Sequence, residues 1–151
     1  MTFFIIGFPG IGKSHLYRSL EKGGCVDSDS SKYSKLEDGS VNPNFIEDYF
    51  NHLNALVDSD IPLVFISTHE AVLKELKAKN FKFTIVIPKQ ELKEEYLVRY
   101  KERGSPQGFI DLIDRNWDTW LEDIKSKYDN VHELSSGETL TDYVNETSYM
   151  F

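Results

Sequence analysis

The stretch GFPGIGKS occupies residues 7–14 and follows directly on the apolar run TFFII at residues 2–6. A continuous apolar run of this length is typical of a strand that is buried on both faces of a sheet. A helix is predicted after the stretch, from about residue 12 to residue 22, and the pair Gly23 and Gly24 would end it. A glycine-rich stretch between a buried strand and a helix is the setting expected of a phosphate-binding loop.

The fixed positions of this loop match the pattern GxxxxGK[ST]. Glycines allow the backbone amides to face inward, where together with the helix N-terminus they present positive partial charge to a phosphate. Lys13 would reach the outer phosphates, and the Ser14 hydroxyl would ligate Mg²⁺. A glycine-rich turn that only packs strand against helix is the alternative. The residues predicted to bind the nucleotide are Gly7, Pro9, Gly10, Ile11, Gly12, Lys13, Ser14 and His15, although a surface position is favoured for His15.

Strand and helix signals alternate along the rest of the chain without a repeat or a long linker. Further strands are predicted near Cys25 and Val26 and at residues 63–67, 81–88 and 131–134. Helices are predicted from Asn42, from a capping box STHE at 67–70, and over about 90–103 and 106–128. This alternation predicts an α/β fold in which residues 1–151 form one domain, with a five-stranded parallel sheet and helices on both faces.

The composition limits the compartment and the partners of the protein. The net charge of −8 disfavours nonspecific binding to nucleic acid, although a local basic patch would still permit it. Cys25 is the single cysteine, which fits a reducing compartment. The apolar start is too short for a membrane span and has no basic flank. We therefore expect a cytoplasmic protein without a membrane partner; its oligomeric state is left open.

A polar stretch, DSDSSKYS at residues 27–34, follows the second strand. Asp27 and Asp29 would lie at the carboxyl end of that strand, the edge at which parallel sheets bind ligands. One carboxylate there can order Mg²⁺, and the other can accept a proton from an attacking hydroxyl. A polar turn is the alternative. Lys32 and Tyr33 are candidates for contact with the phosphoryl acceptor.

The stretch LKEEYLVRYKERG at residues 92–104 predicts a cationic lid, part of a segment of about 89–117. Arg99 and Arg103 are four residues apart and project from one side of a helix, while Tyr96 and Tyr100 supply the packed side. Arg115 would approach from the following helix. Such a clamp would stabilise charge on a transferring phosphoryl group and exclude water. A solvated face with Glu–Arg pairs is the alternative.

On these motifs the chain resembles the P-loop small-molecule and nucleotide kinases, which include nucleoside monophosphate kinases, shikimate and gluconate kinases and the kinase domain of polynucleotide kinase. The resemblance implies ATP and Mg²⁺ as cofactors, Asp29 as the catalytic aspartate and Asp27 as a magnesium-associated carboxylate. The stretches SSKYS, NPNF, ISTHE, EYLVRYKERG and NWDTW are similar to small P-loop nucleotide kinases of bacteriophages.

Several family features are missing. The third strand ends in Ser67, Thr68 and His69 instead of the aspartate that many such proteins keep there as a second magnesium ligand. The glycine cluster of shikimate kinases and the DGFPR stretch of adenylate kinases are also absent. His69 is either an acceptor contact or a surface residue of the helix start. Both specific family assignments are therefore weakened.

The sequence as a whole favours an ATP-dependent kinase of nucleotide metabolism, acting on a (deoxy)nucleoside monophosphate or a nucleoside. Lys13, Asp29, Arg99 and Arg103 are the predicted catalytic residues. The alternatives are a kinase of nucleic acid, with a 5′-hydroxyl or a modified base in DNA as acceptor, and an ATP-binding regulatory module that transfers nothing. The pair Trp117 and Trp120 lies on an apolar helix face and is predicted to pack in the core.

Overall fold

A computed structural model describes residues 2–12, 16, 25–28, 33 and 35–146. Five strands form one sheet in the order β2-β3-β1-β4-β5, and every neighbouring pair is parallel. The predicted α/β class with a parallel sheet is confirmed. The strands are β1 Phe3–Gly7, β2 Cys25–Ser28, β3 Leu63–Ser67, β4 Phe83–Pro88 and β5 Val131–Leu134.

Strand β1 lies at the centre of the sheet, between β3 and β4. Its side chains Ile5 and Ile6 point to opposite faces, and both are fully buried. This double burial explains why the run TFFII is apolar throughout instead of alternating with polar residues. Gly7 pairs with Ser67, so β1 and β3 end side by side, and the glycine-rich loop leaves the sheet at its carboxyl edge.

The helices cover the segments between and after these strands. They are α1 Phe45–Asp58, α2 Glu70–Ala78, α3 Lys93–Glu102, α4 Gln107–Lys127 and α5 Leu140–Glu146, with a 3₁₀ turn at Gln90–Leu92 before α3. Of the helix predicted at residues 12–22, the structure describes Gly12 and Leu16. The amide of Leu16 donates a 3.0 Å hydrogen bond to the carbonyl of Gly12, which is the bond of a first helical turn.

Two predicted helix starts are wrong, and one helix was not predicted. Ser67 does not begin a capping box, because β3 extends through Ser67; α2 begins at Glu70 with His69 as N-cap and no side-chain capping bond. Helix α1 begins at Phe45, three residues after Asn42. The buried Asn42 side chain is used instead in the preceding turn, where its oxygen accepts from the amide of Asn44. Helix α5 was missed.

The core includes side chains of the sheet and of all five described helices, and the long helix α4 contributes its largest residue. Trp117 is fully buried, and its ring meets that of Phe8 edge to face at 5.5 Å. The indole nitrogen of Trp117 donates a 2.8 Å hydrogen bond to the carbonyl of Gln90, which ties α4 to the 3₁₀ turn. The core role predicted for Trp117 is confirmed, whereas Trp120 is only partly buried. Among the described helices, none is long and apolar enough to cross a membrane.

Candidate phosphate-binding site

The loop after β1 has a backbone that only glycine adopts easily at two positions. Gly10 has φ +88° and Gly12 has φ +96°, both in the left-handed region. The side chain of Ile11 between them is fully buried and anchors the loop to the core. Alternation of this kind turns successive backbone amides toward the same side, which makes a concave site for an anion.

Helix α3 holds two carbonyl groups of this loop from one side. The hydroxyl of Tyr100 donates a 2.6 Å hydrogen bond to the carbonyl of Pro9, and the Arg99 guanidinium donates one of 2.6 Å to the carbonyl of Gly10. Tyr100 is fully buried, and this burial raises the pKa of its hydroxyl well above the usual value for tyrosine. The hydroxyl therefore stays protonated at neutral pH and remains a donor to the loop.

Close packing accompanies these bonds. A Cβ atom added to Gly10 would lie 2.7 Å from Cε1 of Tyr100 and 3.3 Å from Cδ2 of Tyr96. Real Cβ contacts are not that short, so the aromatic rings of α3 occupy the space that a side chain at position 10 would need. Gly10 is thus required for its φ angle and for the docking of α3.

The other side of the loop is held by α5 and by the first turn after the loop. The amide of Leu140, the first residue of α5, donates a 2.8 Å hydrogen bond to the carbonyl of Ile11. The carbonyl of Gly12 accepts the 3.0 Å bond from Leu16. Helix α5 begins there because both the amide and the hydroxyl of Thr139 bond to the carboxylate of Asp142.

All four carbonyl groups of residues 9–12 therefore accept hydrogen bonds from α3, from α5 or from Leu16. In contrast, within the described part of the chain, the amides of Gly10, Ile11 and Gly12 have no hydrogen-bond acceptor. Backbone donors without an internal partner, next to acceptors that are all engaged, are suited to bind an anion such as phosphate.

The predicted lid arginines lie on the loop side of α3. The guanidinium carbon of Arg99 is 4.3 Å from the centre of the Tyr96 ring, and that of Arg103 is 5.0 Å from the centre of the Tyr100 ring. Cation–π stacking of this kind fixes the direction of a guanidinium group. Arg103 also donates a 3.0 Å bond to the hydroxyl of Ser105. Arg99 touches the loop directly, and Arg103 lies one helical turn beyond it.

None of the other predicted site residues that the structure describes bonds the loop. Tyr33 and His69 belong to an aromatic cluster with α1, where Tyr33 stacks on His52 at 5.2 Å and His69 meets Phe45 at 5.3 Å. Arg115 is exposed and bonds the carbonyl of Asp111 on its own helix, with no bond to the loop among the described residues. Asp27 lies in β2, beside β3. Lys13, Ser14, His15, Asp29 and Lys32 lie outside the described residues.

No group of three His, Cys, Asp or Glu side chains within the described ranges could hold a metal ion. The predicted magnesium ligand Ser14 is not in those ranges, and for Asp27 the backbone alone is described.

Sequence reasoning missed the contacts that hold the loop. It placed Tyr100 on the packed side of α3, but not its hydroxyl on the carbonyl of Pro9, which is 91 residues away in the chain. It also missed Leu140 at the start of α5. A signal was available there, because Thr139 and Asp142 have the spacing of a helix capping pair.

The comparisons with known proteins agree at the level of the fold. No protein-family model matches the sequence, and no curated protein sequence is significantly similar to it. Among solved structures, the chain is similar to the tunicamycin resistance protein of Deinococcus radiodurans, with a TM-score of 0.61 and 15% identity over 97% of this chain and 92% of that one. The two proteins share an α/β fold. At this identity the similarity concerns the fold alone.

Proposed function

We propose that the protein is an ATP-dependent phosphotransferase that moves the γ-phosphate of ATP to a nucleotide-type acceptor, either a (deoxy)nucleoside monophosphate or a nucleoside. The observation that carries the proposal is the division of polar groups in the loop. The four carbonyls of residues 9–12 are bonded, while the amides of Gly10, Ile11 and Gly12 have no acceptor among the described residues and could bond phosphate oxygens. The motif residues Lys13 and Ser14 follow directly in the sequence.

The position of Arg99 favours phosphoryl transfer over binding of ATP without transfer. Its guanidinium group is held at the loop by the Gly10 carbonyl and the Tyr96 ring, while a guanidinium carries five N–H donors in all. The donors that remain can bond phosphate oxygens at the same loop. A preorganised cation at a phosphoryl group is the device that phosphotransferases use to stabilise the charge of the transition state.

Bound Mg²⁺ would neutralise charge on the β- and γ-phosphates, with Ser14 and Asp27 as the chain's own candidate ligands. Asp29 is proposed to orient the acceptor hydroxyl and to take its proton. If the acceptor group is already a phosphate, it needs no base at neutral pH, and Asp29 would then organise metal and water.

The deciding experiment measures ADP production from ATP with and without candidate acceptors: nucleosides, nucleoside monophosphates, oligonucleotides and hydroxylated metabolites. We expect ADP release to depend on a nucleoside or a nucleoside monophosphate. Release that depends on oligonucleotides and falls steeply with salt would identify a kinase of nucleic acid. Tight ATP binding without acceptor-dependent release would identify a module that transfers nothing.

Two variants test the assigned residues. Lys13→Ala should lower turnover by about 10²- to 10³-fold, the effect of losing one preorganised donor, with the fold intact by circular dichroism. Asp29→Asn should leave ATP affinity nearly unchanged but lower transfer to a hydroxyl by about 10²-fold, within the range for a general base. Wild-type turnover in both variants would remove these residues from the mechanism.

A further inference from the structure

A groove of about 290 Å³ lies between α2 and α4 and reaches the phosphate loop. Phe8, the second residue of the loop motif, lines it together with Thr68, which directly follows β3. Because β1 and β3 end in register at the carboxyl edge, the groove begins at the edge from which the loop emerges. Ligands of parallel α/β sheets bind at this edge.

The walls of the groove are apolar and partly aromatic. Leu73 of α2 and Ile124 of α4 line it, together with the partly buried indole of Trp120. An indole that is neither fully buried nor fully exposed offers a flat surface on which a planar ring can stack. The groove volume is at the lower end of the range for small-molecule sites, so it suits one ring system and not a whole dinucleotide.

The charged residues of the groove argue against a phosphate inside it. Lys127 is the only cation that lines it within the described chain, and its ammonium lies 3.2 Å from the Glu70 carboxylate and 3.1 Å from that of Asp123. Two carboxylates and one ammonium leave the lining with a net charge of −1. An acceptor phosphate would lie at the mouth of the groove, next to the γ-phosphate, and this net negative charge would repel it. Carboxylates readily accept hydrogen bonds from the N–H groups of a neutral heterocycle.

We propose that this groove binds the planar ring of an uncharged, hydroxyl-bearing acceptor, that is, a nucleoside without a phosphate group. The inference rests on the proposed phosphotransferase function and narrows its acceptor. In the transfer step the acceptor hydroxyl oxygen bonds to the γ-phosphorus, the bond from that phosphorus to the β,γ-bridging oxygen breaks, and ADP leaves. The hydroxyl proton is released to water.

The test uses Trp120 as the reporter. Nucleosides and their matching 5′-monophosphates are titrated into the full-length protein while tryptophan fluorescence is recorded, with Trp120→Phe as the control that retains Trp117. We expect nucleosides to change the emission of the wild type but not that of Trp120→Phe, and to bind at least about tenfold tighter than the monophosphates. Equal or tighter binding of the monophosphates, or an unchanged emission, would overturn the inference.

ATP binding is measured separately by thermal shift, which distinguishes the two proposals. ATP binding together with phosphorylation of monophosphates would support the proposed phosphotransferase function but would contradict a nucleoside as the acceptor. A protein that does not bind ATP would lose the proposed function, whereas nucleoside binding in the groove would be judged by fluorescence alone.

A charge change gives an independent check. Asp123→Lys makes the lining positive and should shift the ratio of monophosphate to nucleoside affinity toward the monophosphate by about tenfold. Asp58→Lys makes the same change in net charge at the exposed end of α1, away from the groove, and should leave that ratio unchanged. An identical shift in both variants would show an effect of overall charge and would contradict a site in the groove.

Discussion

The hydroxyl of Tyr100 lies 2.6 Å from the carbonyl oxygen of Pro9, so helix α3 holds the phosphate loop by its backbone. Arg99, the preceding residue, bonds the next carbonyl of the loop, that of Gly10. The helix that was predicted as a lid is therefore docked on the loop. Because the two elements share these bonds, the position of α3 and the shape of the phosphate site depend on each other.

Replacing Tyr100 by Phe should destabilise the protein and weaken ATP binding. The change leaves the carbonyl of Pro9 without its partner in a partly buried position, at a cost of up to about 3 kcal/mol. Tyr96→Phe is the matched control, since Tyr96 is equally buried one turn earlier but its hydroxyl has no partner within hydrogen-bond geometry among the described residues. Urea unfolding and ATP titration of both variants measure the difference.

For Tyr96→Phe we expect a free energy of unfolding that is unchanged or slightly higher, because a buried hydroxyl without a partner costs desolvation. Equal losses of stability in the two variants would mean that ring packing alone, and not the bond to Pro9, holds α3 on the loop.

Replacing Gly10 by Ala should disturb the loop more than its small size suggests. The new methyl group would lie 2.7 Å from the Tyr100 ring, and alanine at φ +88° is disfavoured by about 1–2 kcal/mol. Gly108→Ala is the control, because Gly108 lies in the first turn of α4 with open space around it, where alanine favours the helix. The unfolding temperature and the ATP affinity should both fall for Gly10→Ala but not for Gly108→Ala. Equal values in the two variants would contradict the docking of α3.

Most of the fold could be predicted from the sequence, because the patterns that indicate strands and helices are local. The bounds of β3 and β5 were predicted to the residue, since short apolar runs flanked by polar residues define buried strands. The capping box predicted at Ser67 was wrong because pairing of Ser67 with Gly7 extends β3. A pattern of four consecutive residues cannot predict such a contact with a distant strand.

The site was predictable only in part, because the contacts that hold it join residues that are distant in the chain. The glycines of the loop predict its backbone conformation. The donors to its carbonyls, however, come from Arg99, Tyr100 and Leu140, which are distant in the chain. Helical spacing placed the two tyrosines of α3 inward without giving the partner of either hydroxyl. Nothing in the spacing distinguishes Tyr100, whose hydroxyl bonds the loop, from Tyr96, whose hydroxyl does not.

Arg99→Ala should lower turnover much more than Arg115→Ala. Arg99 contacts the loop, and loss of one preorganised donor to a phosphoryl group typically lowers turnover by about 10²- to 10³-fold. Arg115 bonds a carbonyl of its own helix, so its removal should leave turnover nearly unchanged. Steady-state ADP production at saturating ATP compares the two. A large loss in Arg115→Ala would show that the segment 89–117 rearranges during turnover and brings Arg115 to the phosphates.

Stability should fall at alkaline pH, with Tyr100 as one cause. Burial raises the pKa of Tyr100 in the folded state above its unfolded value of about 10. The contribution of the neutral Tyr100 hydroxyl to the free energy of unfolding is therefore complete below about pH 10. It is lost as the pH rises toward the folded pKa, at up to about 1.4 kcal/mol per pH unit. Tyr100→Phe lacks this group, so its free energy of unfolding, measured with urea between pH 8 and about pH 11, should decline less steeply than that of the wild type. Parallel declines would show that Tyr100 ionises normally and is accessible to water.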